Sequence, residues 1–468
     1  MRLATKLLAT AVTVVLAAAL PAPAAYAAER SGGQRTDEGS IDGAPYRIEM
    51  PRRWNGTLVL YSHGYYVADF LPERVALSMH PETERLLLDQ GYALAASEYR
   101  DRGTGYAVED GLRDQIALLD HFEDTFGTPR RTLSHGMSQG AAIAGQLAEH
   151  HPDRFAGTAG LCSEVDTPGS WNTALDIQFV VRTLLAPDAD IDLVRPSGPA
   201  EALEDTEALA TAVQRARTTD EGRARLALAG AVANLPTWYS AFEPRPTTTE
   251  ERVLAQSQWT EGAYSWGLGP LGRLDLEARA GGNPSGNTGV DYRRQLAQSS
   301  LRGLVRAAYA GTDADLDTDL TALARAGRIA PDPAALAYTE RYGLVDGTAP
   351  TPTITLHTTG DGGAVSGQVP WWADRAEENG GGDFRSLYLE RGGHCTYTAA
   401  EEILTLRALD RRVDTGRWEK LTPAKLNARA AAFGPEYQNV LDFGPGGPRP
   451  VDPAFVRHTP PQFLRPTR

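Results

Sequence analysis

Three side chains in this sequence have the types and the chain order that nucleophilic catalysis needs: Ser138, Asp361 and His394. Ser138 lies in RRTLSHGMSQGAAIAG (130–145), flanked by Gly136 and Gly140 and followed by small residues. A serine hydroxyl attacks a carbonyl carbon only when a base takes its proton, and that base needs a third group to orient it. A Gly-x-Ser-x-Gly turn between a strand and a helix presents such a serine, and its tightness demands small neighbours. On a sheet of this kind the acid and then the histidine come later, each just past a strand. Asp361 follows TPTITLHTTG and His394 follows FRSLYLERGG. Of the nine histidines only His394 and His458 come after Asp361, and His458 sits in a proline-rich stretch. The rival acids are Asp166 and Glu164, just beyond FAGTAGLCS.

The oxyanion of an acyl-transfer intermediate needs two backbone N–H donors, one from the residue after the nucleophile and one from an early loop. Gln139 supplies the first and Tyr65, ending LVLYSHGY, the second. His63 precedes the nucleophile and is expected to brace that loop rather than act as the base.

These residues need a sheet to position them. GTLVLYSHGYY, GYALAASEYRDRG, RRTLSHG, FAGTAGLCS, TPTITLHTTGD and FRSLYLERGGH read as short buried strands, separated by helical patterns such as VEDGLRDQIALLDHFEDTFG and AAIAGQLAEHH. That alternation implies a mostly parallel sheet covered by helices on both faces. The 468 residues exceed the single core of up to about 250–300 residues, so a large insertion or a second domain is expected. Between 164 and 348 the chain turns Ala-, Leu-, Arg- and Glu-rich with helical spacing, broken by the loop ARAGGNPSGNTG. Trp171, Trp238, Trp259, Trp266, Tyr239 and Tyr264 fall there, and each is more often packing than pocket lining. The expected organisation is a signal peptide at 1–27, core at 28–163, helical insertion at 164–348, core at 349–420 and a proline-rich tail at 421–468.

In this order, HG after an early strand, GMSQG, TTGD and GGHC resemble the α/β-hydrolase superfamily. The resemblance covers roughly 45–163 and 349–420, and is equally visible toward secreted actinobacterial esterases and prolyl-oligopeptidase-type peptidases. It implies an α/β-hydrolase fold with a mainly helical cap inserted after the sixth strand, and a serine hydrolase acting on a small-molecule or peptide acyl substrate. An extracellular carboxylic-ester hydrolase is the leading expectation, and a peptidase or amidase with the same triad is the alternative. An aminopeptidase would hold its substrate's ammonium with acids such as Glu201, Glu204 and Asp205. A binding protein on the same scaffold is the third class.

The N-terminus carries Arg2 and Lys6, an apolar run from Leu7 to Leu20, and the small-x-small site Ala25-Tyr26-Ala27, which reads as a cleaved secretion signal. No later segment is apolar enough to span a bilayer, so no stable membrane insertion is expected. With 46 basic and 60 acidic residues the net charge is −14, which disfavours nucleic acid as a partner. No cofactor is expected, because phosphate loops and dinucleotide fingerprints are missing. No metal is expected either: GTDADLDTDL (311–320) lacks the glycine and glutamate of a calcium loop and reads as a helix start. An oxidising destination and an even count make Cys162–Cys395 the expected disulfide. Cys162 ends one strand and Cys395 follows the proposed histidine; if both strand ends meet above the sheet, their Cα atoms come within the roughly 4.4–6.8 Å a disulfide allows. Oligomeric state is not legible.

Overall fold

A computed structural model describes residues 34–67, 71–441 and 447–467. The expected signal peptide, 1–27, lies outside the described residues. Eleven strands occur among them: β1 Arg35–Ile41, β2 Ala44–Met50, β3 Thr57–Ser62, β4 Ala93–Ser97, β5 Arg131–Met137, β6 Gly157–Leu161, β7 Thr353–Gly360, β8 Phe384–Gly392, β9 Asn439–Val440, β10 Arg449–Pro450 and β11 Phe455–Val456. Nine form one sheet in the order β1-β2-β4-β3-β5-β6-β7-β8-β11. Strands β4 through β8 run parallel, whereas β1, β2 and β11 pair antiparallel at the two edges. β3 (TLVLYS) is buried at every position, as a parallel strand covered on both faces must be. β1 (RTDEGSI) is charged and largely exposed, which suits an edge that must not recruit another strand.

Each face has its own apolar core. On one side Leu87, Ile403, Leu406 and Leu409 pack against Val59, Leu133 and Leu356. On the other, Leu118, Leu119 and Phe122 of the helix Val108–Phe126 pack with Ile143 and Leu147 of the helix Gly140–His150 against Leu58 and Leu60. The sheet and both helical layers are as the alternating pattern implies.

Between β6 and β7 every named element is a helix, from Thr167–Leu185 to Pro333–Gly343, joined by loops. This insertion has a core of its own, in which Phe179, Leu209, Val213, Leu226 and Val305 are buried together. The glycine-rich loop is more than a connector. Its Asn283, Ser285 and Asn287 are fully buried, with Asn283 and Ser285 around the Arg273 guanidinium and Asn287 donating to the Tyr292 hydroxyl. In 311–320, Asp315 accepts the Thr318 N–H and caps the helix Leu316–Arg325.

Residues 421–467 are only partly extended. Leu426 and Ala430 of the helix Pro423–Ala431 join the core beside the helix Ala399–Thr415, and β11 adds to β8. Apolar side chains within this proline-rich composition anchor it to the core.

Cys162, after β6, and Cys395, after β8, form a disulfide with Cα atoms 5.1 Å apart, spanning the end of β7 that lies between them. The bridge closes a loop of 233 residues, so loop-closure entropy assigns it up to about 5 kcal/mol. Replacing both cysteines with serine should therefore lower the urea midpoint sharply, and thiol titration of the unfolded, non-reduced protein should find no free thiol. Two titratable thiols would remove the bridge from the native molecule.

Candidate active site

The β5-to-helix junction is built by close backbone approach. A Cβ on Gly136 would stand 2.0 Å from the Gly140 carbonyl oxygen, and one on Gly140 would stand 2.1 Å from the Ser62 carbonyl oxygen. Neither position can carry a side chain, which is the physical content of the two glycines. Between them Ser138 has φ +54°, a left-handed conformation that a non-glycine residue adopts under strain. Gly64, beyond β3, is also close, though less so: its Cβ would lie 3.0 Å from Ser138 Cβ.

The turns after β7 and β8 bring the other two residues to this serine. Ser138 Oγ lies 2.8 Å from His394 Nε2, and His394 Nδ1 lies 2.9 Å from both carboxylate oxygens of Asp361. Asp361 is buried, and its Oδ1 accepts the Gly363 and Ala364 N–H groups at 2.9 Å each. The carboxylate therefore fixes the proton on Nδ1 and leaves Nε2 to accept from the serine hydroxyl. His394 is flanked by the disulfide, with Cys395 Sγ 3.4 Å from Nε2. Tyr65 and Gln139 follow Gly64 and Ser138 directly in the chain, and among the described residues no acceptor takes either backbone N–H. The Ser138–His394–Asp361 arrangement can deprotonate a hydroxyl.

His63 behaves as a brace. Its ring is stacked between Tyr66 (centroids 3.9 Å apart) and Tyr99 (4.1 Å), and Nδ1 bonds the Gly64 carbonyl at 2.7 Å. Burial pushes its pKa down to about 4, so the ring stays neutral near neutral pH.

The rival acids are engaged elsewhere. Asp166 accepts the Gly169 N–H at 2.9 Å, capping the helix Thr167–Leu185, and also the Thr467 N–H at 2.8 Å. Glu164 accepts hydroxyls from Thr167 (3.1 Å) and Ser170 (3.0 Å), while its backbone N–H bonds the Ser138 carbonyl at 3.2 Å. Burial pushes the Glu164 carboxyl up to about 7, against the downward pull of its hydroxyl donors. An unfolded glutamate titrates near about 4.3, so between there and about 7 the folded state binds the proton more tightly, and stability falls as pH rises through that window. Glu164→Gln, which cannot ionise, should gain stability relative to the parent on going from pH 5 to pH 8 in urea titrations. An equal difference at both pH values would contradict the burial argument.

Several contacts carry no local sequence signal. His357, fully buried, bonds the Ala364 carbonyl at 2.9 Å and reaches Asp361 Oδ2 at 3.4 Å. Gln368 ties the two acid-bearing turns together, accepting the Val165 N–H (2.9 Å) and donating to Ser170 Oγ (3.0 Å). Of the six insertion aromatics singled out in the sequence, Trp259 and Tyr264 reach the Asp361 turn, whereas Trp171 packs in the core beneath Arg273. Glu201, a candidate ammonium holder, instead accepts the Ser197 N–H at the start of its own helix.

No protein-family model matches the chain. The o-phthalyl amidase of Xanthobacter agilis is 28% identical over 418 residues, covering 84% of this chain and 90% of that protein. Among solved structures, the acylaminoacyl peptidase of Pyrococcus horikoshii is 10% identical with a TM-score of 0.38, and covers 84% of this chain. This chain spans 43% of that peptidase's length. A thermostable carboxyl esterase from Bacillus coagulans is 12% identical with a TM-score of 0.35, covering 76% of this chain and 90% of that one. Among the described residues no helix is long and apolar enough to cross a membrane. A sheet in the order 2-4-3-5-6-7-8, parallel except for β2, with a strained serine leaving its β5 and an aspartate and a histidine leaving β7 and β8, gives this chain the α/β-hydrolase fold.

Proposed function

We propose that the protein is an exported serine hydrolase that cleaves small acyl compounds through an acyl-enzyme. The observation that carries this reading is the continuous hydrogen-bonded chain from Ser138 Oγ through His394 to Asp361. Ser138 Oγ attacks the carbonyl carbon as His394 Nε2 takes its proton, and the oxyanion is received by the Gln139 and Tyr65 N–H groups. His394 then gives that proton to the leaving oxygen or nitrogen. A water, deprotonated by the same Nε2, attacks the acyl carbon and releases the acid and the free serine. Asp361 keeps the imidazole in the required tautomer and stabilises the imidazolium.

The helical insertion acts as a cap that shapes the acyl pocket, consistent with Trp259 and Tyr264 lying on the Asp361 turn. A signal peptide at 1–27 and the Cys162–Cys395 bridge both suit an oxidising, extracellular destination.

The sequence motifs fit esterases and peptidases alike, with esters the leading expectation. The likeness to an o-phthalyl amidase along nearly the whole of both chains favours the second reading, in which amides are hydrolysed by the same three residues. A matched panel separates them: p-nitrophenyl esters of increasing chain length beside the corresponding p-nitroanilides, with a phthalyl amide and aminoacyl anilides included. Turnover of the simple acyl anilides or the phthalyl amide supports the amidase reading, and turnover confined to esters supports the esterase. Turnover of aminoacyl anilides alone would shift the assignment to a peptidase. A folded protein that cleaves none of them would contradict the hydrolase proposal.

A further inference from the structure

The turn that carries Asp361 has few side chains of its own. Its next three residues are Gly362, Gly363 and Ala364, and two of their N–H groups are spent on the Asp361 carboxylate. Besides His357 and His394 of the core, the insertion presses on this turn. A Cβ on Gly362 would fall 2.4 Å from the Trp259 ring, so the indole lies directly on that backbone. Tyr264 donates its hydroxyl to the Gly362 carbonyl at 2.8 Å. Trp259 in turn is held by its Nε1–H on the Trp238 carbonyl (3.1 Å) and by the Tyr239 ring.

These two aromatics share a buried cluster with Phe463, about two hundred residues later in the chain, whose ring stands edge-on to Trp371 at 6.3 Å. Phe463 is 4% exposed and shares one buried cluster with Trp259, Tyr264, Ile177 and Val365, the last of these in the Asp361 turn itself. The backbone on either side of Phe463 is pinned to both bodies. A Cβ on Gly367 would stand 2.6 Å from the Pro461 carbonyl oxygen, so the segment runs tight against the hydrolase core. Gln462 accepts the Asn234 side-chain N–H at 2.9 Å, and Arg465 pairs with Asp176 and donates to the Gly286 carbonyl at 2.9 Å, all on the insertion. Thr467 closes the segment on Asp166.

We propose that Phe463 is a positioning residue for the triad acid: wedged between insertion and core, it holds Trp259 and Tyr264 down on Gly362 and so keeps Asp361 aimed at His394. The assignment rests on the serine-hydrolase reading above. It goes beyond packing because misplacing a catalytic group by about 1 Å slows a reaction by about 10²-fold, whereas loss of a distant core ring lowers stability and leaves the rate of the folded enzyme alone.

The test compares the parent, Phe463→Ala, Phe463→Leu and the control Phe122→Ala, whose ring is buried in the core on the other side of β5. Three readouts are taken on folded protein: the rate of fluorophosphonate labelling, kcat and KM on a p-nitrophenyl ester, and hydrogen exchange of the Gly363 and Ala364 amides. Phe463→Ala should slow labelling and kcat by about 10²-fold with KM within about threefold, and should speed exchange at both amides. Phe463→Leu, which restores apolar volume, should recover most of the rate yet remain slower than the parent. Phe122→Ala should melt earlier with labelling unchanged. Should Phe463→Ala not fold, Phe463→Leu decides the matter through the same readouts. Parent-like labelling and parent-like exchange in a folded Phe463 variant would overturn the proposal. Were the parent itself not labelled, the serine-hydrolase reading would fail, and the exchange of Gly363 and Ala364 would still decide whether Phe463 holds their turn.

Discussion

Ser138→Ala should lower kcat by about 10⁶-fold and leave the fold intact. The magnitude follows from removing the atom that forms the acyl bond: no other group supplies a nucleophile, and only the oxyanion donors and substrate binding remain to give a residual rate above water. The fold should survive because the hydroxyl is hydrogen-bonded to His394 Nε2 rather than to the core, and alanine tolerates the left-handed φ of +54° no worse than serine does. A melting temperature within a few degrees of the parent, together with lost turnover of whichever ester or amide the parent cleaves, is the expected pair of results. Turnover within about tenfold of the parent would remove Ser138 from the mechanism.

Asp361→Asn should cost up to about 10⁴-fold in kcat, and the structure says why so small a change matters. The carboxylate accepts from the Gly363 and Ala364 N–H groups and from His394 Nδ1. Asparagine has one acceptor oxygen. If that oxygen stays with the two backbone donors, the amide NH₂ faces Nδ1 and selects the tautomer with its proton on Nε2, which can no longer accept from Ser138. Asp166→Asn, by contrast, should weaken a helix cap and the Thr467 contact and leave kcat within about threefold. Steady-state rates of both variants on one substrate check this, and a larger loss from Asp166→Asn would move the acid to the turn after β6.

How much of this was legible follows from how local each feature is. The serine turn could be read because its constraints sit within five residues: strand before, helix after, and glycines where backbones nearly touch. The order serine, acid, histidine and the strand ends at Asp361 and His394 were legible because parallel strands deliver their C-terminal turns to one edge. The same reasoning brought Cys162 and Cys395 together. What escaped depends on long-range placement. The β1–β2 hairpin was missed because β1 is polar and exposed, with no buried face to imprint alternation. Trp259 and Tyr264 looked like any insertion aromatics, since their partner, Gly362, is about a hundred residues away and has no side chain to betray the contact. Phe463 stood in a proline-rich stretch that reads as surface, and only the fold reveals that its ring is buried beside the acid turn.

The whole mechanism requires Ser138 to be an activated nucleophile. Incubating the native protein with a fluorophosphonate and mapping the adduct by peptide mass spectrometry tests it most directly. One adduct per chain is predicted, on the peptide containing Ser138, suppressed when His394 is replaced by alanine and absent in Ser138→Ala. A folded protein that takes up no label, or one whose adduct sits on a different residue and persists in Ser138→Ala, would contradict the account.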